Sequence, residues 1–301
     1  MKNKALKRLI YGLLAFLVSL PLISFKLIDP PKKDTVADSG FKIKTIIVDA
    51  GHGNRPPGAS RYSPGSEGSF SLERNVTLAI ALKLQKAIEK EIPSVRVVMT
   101  RTNPDDVPFQ KRSDIANSNK GDIFISIHCN SLPYKTSREV VGHKHHKPIY
   151  RTVSVPDRSG RGVLLLVYST KRIGPQIEAL RENAEIGVDQ QETQSRKEDD
   201  PMSVIMLDEF KNKYRKQSIH LADLINNEFT QVDGRPSDGV REQVLFVLDH
   251  TAMPSVLVET GYINNSKDED YLNSETGQNE IVDSIVRALK NYKDEVEQVS
   301  K

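Results

Sequence analysis

The sequence predicts an α/β fold: a single twisted, mostly parallel sheet flanked by helices on both faces. Three observations predict it. Short apolar runs rich in β-branched residues recur at 42–48, 95–99, 122–127, 162–168, 244–248 and 255–258, and each reads as a strand. Segments with helical spacing of apolar residues fall between several of them, the rhythm of a sheet covered on both faces. Polar residues able to do chemistry stand where the runs end, and in such sheets chemistry lies beyond the carboxyl ends of the strands.

Composition narrows the classes. The chain has 301 residues, 37% hydrophobic and 28% charged. That length can bury a real core. A formal net charge of +3 excludes a strongly basic protein built to blanket nucleic acid. One Cys rules out an intramolecular disulfide framework and Cys-rich zinc modules. A metal site must therefore use His and carboxylates. Trp is absent, so no indole platform stacks sugars or bases.

In chain order, Lys2, Lys4, Lys7 and Arg8 precede an uncharged apolar stretch at 9–25. The basic flank and apolar run read as an export signal or uncleaved signal-anchor over 1–28. At about 17 residues the run is at the short end of what spans a bilayer. No small-x-small cleavage site follows it. Residues 29–41, polar with two prolines, read as a linker. The first strand, 42–48, leads into Asp49-Ala50-Gly51-His52-Gly53. A Gly/Pro/Ser-rich loop at 54–69 follows. Ser71 is expected to cap an amphipathic helix carrying Leu72, Val76, Leu78, Ala79, Leu82, Leu84 and Ile88. After the strand at 95–99, residues 108–119 suit a short helix. The strand at 122–127 ends in His128-Cys129-Asn130-Ser131. Further strands follow at 162–168, 244–248 and 255–258, a long helix at 202–229, and a closing helix at 280–292. The catalytic domain is expected at 42–295, with a tail at 296–301. Two stretches break the rhythm: a basic one at 133–160, with His143, His145 and His146, and a Gln/Glu-rich one at 176–201.

A catalytic zinc commonly takes three protein ligands, often two His and one Glu, leaving one position open. A further carboxylate then serves as general base and acid. His52, Glu73 and His128, with Glu259 as the spare carboxylate, make up that set. Each has a plainer reading. His52 could be a turn histidine between two glycines. Glu73 could favour the dipole of the helix it opens. His128 could be a core histidine. Asp49 could orient the His52 ring or merely cap a turn. Glu259 is the least ordinary, because a buried, unpaired carboxylate costs several kcal/mol unless satisfied or protonated.

Four blocks together resemble the zinc-dependent N-acetylmuramoyl-L-alanine amidases. They are Asp49-Ala50-Gly51-His52-Gly53, Ser71-Leu72-Glu73-Arg74, Phe124-Ile125-Ser126-Ile127-His128-Cys129-Asn130 and Met253-Pro254-Ser255-Val256-Leu257-Val258-Glu259-Thr260-Gly261-Tyr262-Ile263-Asn264-Asn265. The resemblance covers roughly 43–293 apart from the two irregular stretches. It implies zinc on His52, Glu73 and His128, Glu259 as the catalytic carboxylate, and peptidoglycan as substrate. The bond cut would join the lactyl group of muramic acid to L-alanine. An exported protein of the periplasm or cell envelope is implied, active in wall remodelling or daughter-cell separation and meeting membrane only through its N-terminal segment. Asn54 stands where the family usually has a glycine, the loop to Ser69 is longer and richer in proline, and Cys129 replaces a small residue. These departures alter the groove and leave the ligands intact. Alternation along the strand points Cys129 away from the metal.

The stretch Arg181-Glu182-Asn183-Ala184-Glu185-Ile186 is similar to an insert of the cell-separation members, in which a helix blocks the zinc until an activator protein displaces it. The resemblance implies a regulatory insert at 178–203, with Glu185 the first choice for the open zinc position. A solvated charged loop is the plainer reading. His143, His145 and His146 suit a basic loop meeting anionic wall polymer better than a second metal. Two other functions fit the residues less well. A zinc carboxypeptidase of the stem peptide would use an HxxE pair, but Arg55 stands three residues after His52. A wall-binding regulator on a decayed fold would have lost a ligand or Glu259, and all four are present.

Overall fold

The computed structural model describes residues 41–169 and 201–299. The export segment expected at 1–28, the linker as far as residue 40, and the insert as far as residue 200, with Glu185, lie outside the described residues. Six strands form one sheet in the order β2-β1-β3-β8-β6-β7. They are β1 (Thr45–Ala50), β2 (Arg96–Met99), β3 (Ile123–Asn130), β6 (Val163–Tyr168), β7 (Ser237–Gln243) and β8 (Ser255–Tyr262). All neighbours pair parallel except β6 with β8.

Alternation along the strands divides the core in two. One face carries Ile46, Val48, Ile125, Ile127, Val256 and Val258. It is covered by α1 (Glu73–Glu91), α3 (Pro201–Asn227) and α6 (Glu275–Val299). In α1 the buried stripe is Val76, Ile80, Leu84 and Ile88, every fourth residue. The other face carries Ile47, Phe124, Leu164, Leu166 and Leu257 and has lighter cover. Its helices are α2 (Phe109–Ser118) and the single turn α4 (Phe246–Asp249). A sheet clothed on both faces with near-continuous apolar strands is the expected fold.

Several local expectations give way. Residues 244–248 are not a strand: the strand is Ser237–Gln243, and Phe246–Asp249 is a helical turn. Phe246 stacks on His250, one turn further, with ring centroids 3.7 Å apart. A five-residue apolar run has the same pattern in either state. Ser71 does not cap α1. Leu72 holds the cap position without a side-chain bond, while Ser71 Oγ donates to Glu269 Oε1 at 2.9 Å. The closing helix runs from Glu275 to Val299, so the tail expected at 296–301 is helical as far as Val299. The basic stretch at 133–160 is no loop. It forms an antiparallel hairpin of β4 (Tyr134–Lys144) and β5 (Lys147–Pro156), which pair with each other and not with the main sheet. Among the described residues no helix is long and apolar enough to cross a membrane.

Candidate metal centre

The first two strand-end blocks meet at a sharp turn. β1 ends at Ala50, and His52 follows with φ +59°. The left-handed region costs a residue with a Cβ roughly 1–2 kcal/mol. Two buried arginines hold the turn by its carbonyls. Arg112 donates to Ala50 O at 2.6 Å and His52 O at 3.0 Å. Arg101 donates to Ala50 O at 2.8 Å and Gly51 O at 2.9 Å. Gly51 is required by contact: a Cβ there would lie 2.4 Å from the His128 ring.

His128 projects from β3 and Glu259 from β8, opposite each other in register. Both lie on the lightly covered face, with Asp49 and Ser126. Glu73 opens α1, and its backbone N–H donates to Ser66 O at 3.0 Å. Its carboxylate reaches both rings: Oε1 is 3.1 Å from His52 Nε2 and 3.1 Å from His128 Nδ1. The rings meet edge to face, centroids 4.7 Å apart. The donor atoms of His52, Glu73 and His128 all lie within 4.8 Å of one another. Two imidazole nitrogens and a carboxylate oxygen, all largely buried, are the donor set of a catalytic zinc site, and the residues fit such an ion. Among the described residues this is the only such trio; His143, His145 and His146 form none.

The supports of the trio carry no sequence signal. His52 Nδ1 lies 2.7 Å from Ser63 Oγ, so Nε2 is the nitrogen left for an ion. Ser63 N–H donates to Asp106, which pairs with Arg112. Glu73 Oε2 accepts from Ser66 N–H at 2.7 Å, and Oε1 from Cys129 N–H at 3.0 Å. Gly65, at φ +74°, lies where a Cβ would press on the His52 ring and the Glu73 carboxylate at 2.8–2.9 Å. Buried Glu269, nearly two hundred residues away, holds this loop by accepting from the N–H groups of Ser69, Phe70 and Ser71. Burial raises the Glu73 pKa, but the two histidines outweigh it and leave the group well below the usual carboxylate range.

Asp49 does not orient His52. Its carboxylate accepts from Arg112 at 2.7 Å, Thr100 at 2.5 Å and Ser126 at 2.6 Å, so it anchors the strand ends. Cys129 faces the opposite side, buried, its Sγ 3.6 Å from Thr260 Oγ1. Burial, with the charge of Glu73, pushes its thiol pKa well up, and an un-ionised thiol is a poor nucleophile. Glu259 is the contrast: Oε2 is buried without a hydrogen-bond partner. Burial first, then the negative charge of Glu73, push its pKa up to about 8. It lines a cavity of about 400 Å³ with His52, His128, Asn130 and Phe246.

The family model described as N-acetylmuramoyl-L-alanine amidase matches residues 46–291. The "Probable N-acetylmuramoyl-L-alanine amidase AmiB" of Haemophilus influenzae is 30% identical over 249 residues, 81% of this chain and 51% of that protein. The "Probable cell wall amidase LytH" of Staphylococcus epidermidis is 28% identical over 262 residues, 87% of this chain and 62% of that protein. The chain thus spans about half to three-fifths of these relatives. The crystal structure of an N-acetylmuramoyl-L-alanine amidase from Clostridium difficile 630 shares the fold, with a TM-score of 0.55 at 20% identity over 84% of this chain and 98% of that one. So does the CwlD amidase of Clostridioides difficile, solved in complex with the GerS lipoprotein, with a TM-score of 0.55 at 20% identity over 83% of this chain and 98% of that one.

Proposed function

The chain belongs to the N-acetylmuramoyl-L-alanine amidase family, and from that premise we propose that it hydrolyses the amide between the lactyl group of N-acetylmuramic acid and L-alanine in peptidoglycan. The observation that carries this is the convergence of His52, Glu73 and His128, three donors from three separate elements, within 4.8 Å. The proposed ligand atoms are His52 Nε2, Glu73 Oε1 and His128 Nδ1, and the proposed ion is zinc. When bound, zinc supplies Lewis acidity, polarising a carbonyl and bringing the deprotonation of water near neutral pH.

The remaining work falls to the chain. Glu259 Oε2, buried and unpaired, takes the proton of the attacking water and returns it to the departing amine of L-alanine. A cation held by the trio would oppose the two causes that raise the Glu259 pKa and would favour its ionised form. Ser63 engages His52 Nδ1, and Ser66 and Cys129 fix the Glu73 carboxylate through their N–H groups. Glu259→Gln tests the roles. Full zinc occupancy with hydrolysis lowered 10²–10⁴-fold is expected, read by metal analysis and by release of peptides beginning with L-alanine. Lost zinc would make Glu259 a ligand instead.

The setting is part of the proposal. Relatives named as wall amidases support an exported enzyme of the envelope, held or directed there by residues 1–28. A blocking insert at 178–203, with Glu185 at the open position and an activator protein to displace it, is the proposed control. Deleting 178–200 should raise the activity of the isolated enzyme. Unchanged activity would remove self-inhibition from the scheme.

A further inference from the structure

The hairpin β4–β5 has no counterpart in the mechanism. It leaves the sheet four residues beyond the end of β3, the strand of His128. Its root is tied to the segment following β8, the strand of Glu259. Asn264 Nδ2 donates to Leu132 O at 3.0 Å and Asp157 O at 2.9 Å, bridging the two legs, and Asn265 Nδ2 donates to Arg158 O at 2.9 Å. Beyond the root nearly every residue of both strands is exposed. An isolated two-stranded hairpin is marginal in water, so a long one with both faces open calls for a partner.

The side chains describe that partner. Between 134 and 156 stand five Lys or Arg against one Glu. Glu139 is taken by Arg151 and Lys135 by Asp157. Arg138, Lys144 and Lys147 have no acidic partner among the described residues. The register places Tyr134, Thr136, Arg138 and Val140 on one face, opposite Pro156, Ser154, Thr152 and Tyr150. That face is a polar strip with an exposed tyrosine toward each end, Tyr134 at 69% and Tyr150 at 56%. The span from Tyr134 to Val140 is about 20 Å. Tyrosine presents an apolar ring with a polar tip, suited to the apolar faces of sugars, and unpaired cations suit carboxylates. The turn is His145-His146, at φ +49° and +62°, where Asn-Gly is favoured. Keeping two imidazoles in that conformation carries a conformational cost. The tip has no apolar residue, unlike a hairpin that inserts into lipid. On its own face Ile149 stands between Lys147 and Arg151, and Val140 follows Arg138; with Val141 these exposed aliphatics do not make the apolar core of a protein interface.

We propose that this hairpin is a second docking surface, a basic, tyrosine-bearing arm that holds carboxylate-rich peptidoglycan strands beside the metal centre. This rests on the amidase reading for its substrate. The test uses the full chain carrying Glu259→Gln, so that polymer is bound and not consumed. Arg138, Lys144, Lys147 and Tyr150 are changed together to Thr, a good strand residue. Sedimentation with purified insoluble peptidoglycan should weaken at least tenfold at low salt, and the loss should shrink as salt is raised. In the active chain the same changes should raise KM on polymer by a like factor and leave kcat/KM on a soluble muramoyl-peptide fragment unchanged. If fragment hydrolysis also falls, Lys144→Gln with Lys147→Gln, at the exposed tip, decides by the same assays, with about a threefold loss of sedimentation expected. Unchanged sedimentation overturns the arm. So does equal loss on peptidoglycan whose stem carboxylates have been amidated, or loss confined to anionic phosphatidylglycerol vesicles. Sedimentation is read without hydrolysis. A chain that binds through the hairpin yet releases no L-alanine-terminated peptide would sink the reaction and spare the arm.

Discussion

Asp49 and Glu259 stand on the same face of the sheet, on β1 and β8, with β3 between them. Each follows a valine in an apolar strand and precedes a small residue and a glycine. Their surroundings are opposite. Asp49 accepts bonds from Arg112, Thr100 and Ser126. Burial alone would raise its pKa; the Arg112 charge and the two hydroxyls outweigh this and hold it down. Glu259 has a buried oxygen with no donor, and its pKa is pushed up to about 8. A carboxylate with both oxygens engaged by donors is scaffold. One left hungry at a cavity is available to carry a proton. Sequence position does not separate the two; the donors around them do.

Three changes break or sharpen that contrast. The largest effect is expected from Arg112→Met, which strands Asp49 and Asp106 as buried charges and frees the carbonyls of Ala50 and His52. Removing one partner of a buried pair costs about 3–5 kcal/mol, to be read by urea unfolding. A loss under 1 kcal/mol would show Asp49 to be as unsupported as Glu259. Next comes Ser63→Ala. It leaves His52 Nδ1 without its partner and should weaken zinc affinity roughly 10–100-fold with little change in Tm, measured by chelator competition. The last is Glu259→Gln in metal-free protein. The folded pKa near 8 lies above the ordinary 4.5, so folded chains bind the proton that unfolded chains release between those values. The group costs nothing below pH 4.5, and its cost grows up to pH 8. Gln cannot ionise. The variant should therefore gain in Tm over the parent as pH rises through that window, read by calorimetry. A pH-independent difference would erase the contrast.

The sheet was legible because its strands are buried on both faces and show as unbroken apolar runs, as at Thr45–Ala50 and Val163–Tyr168. The trio and Glu259 were legible as blocks with a family likeness. Their supports were not. Arg112 stands in the short helix expected at 108–119, with no local feature to mark it. Ser63 lay in a loop without periodicity. Glu269 acts on Ser69–Ser71 across about 200 positions, and such contacts leave no local pattern. The hairpin was missed for the reverse reason. With most of both faces open, β4 shows no apolar alternation and β5 shows it only at Val153 and Val155, so a strand pair looked like a basic loop. The run at 244–248 failed because five apolar residues fit one helical turn as well as a strand.

One amide of Asn264 fastens both legs of the hairpin, so its two ends leave the body side by side. A segment rooted in that way can be replaced by a few turn residues, or grafted onto another hydrolase, without moving a single ligand. On the proposed reading, retention on the wall and the cutting of it become separately engineerable properties of the chain.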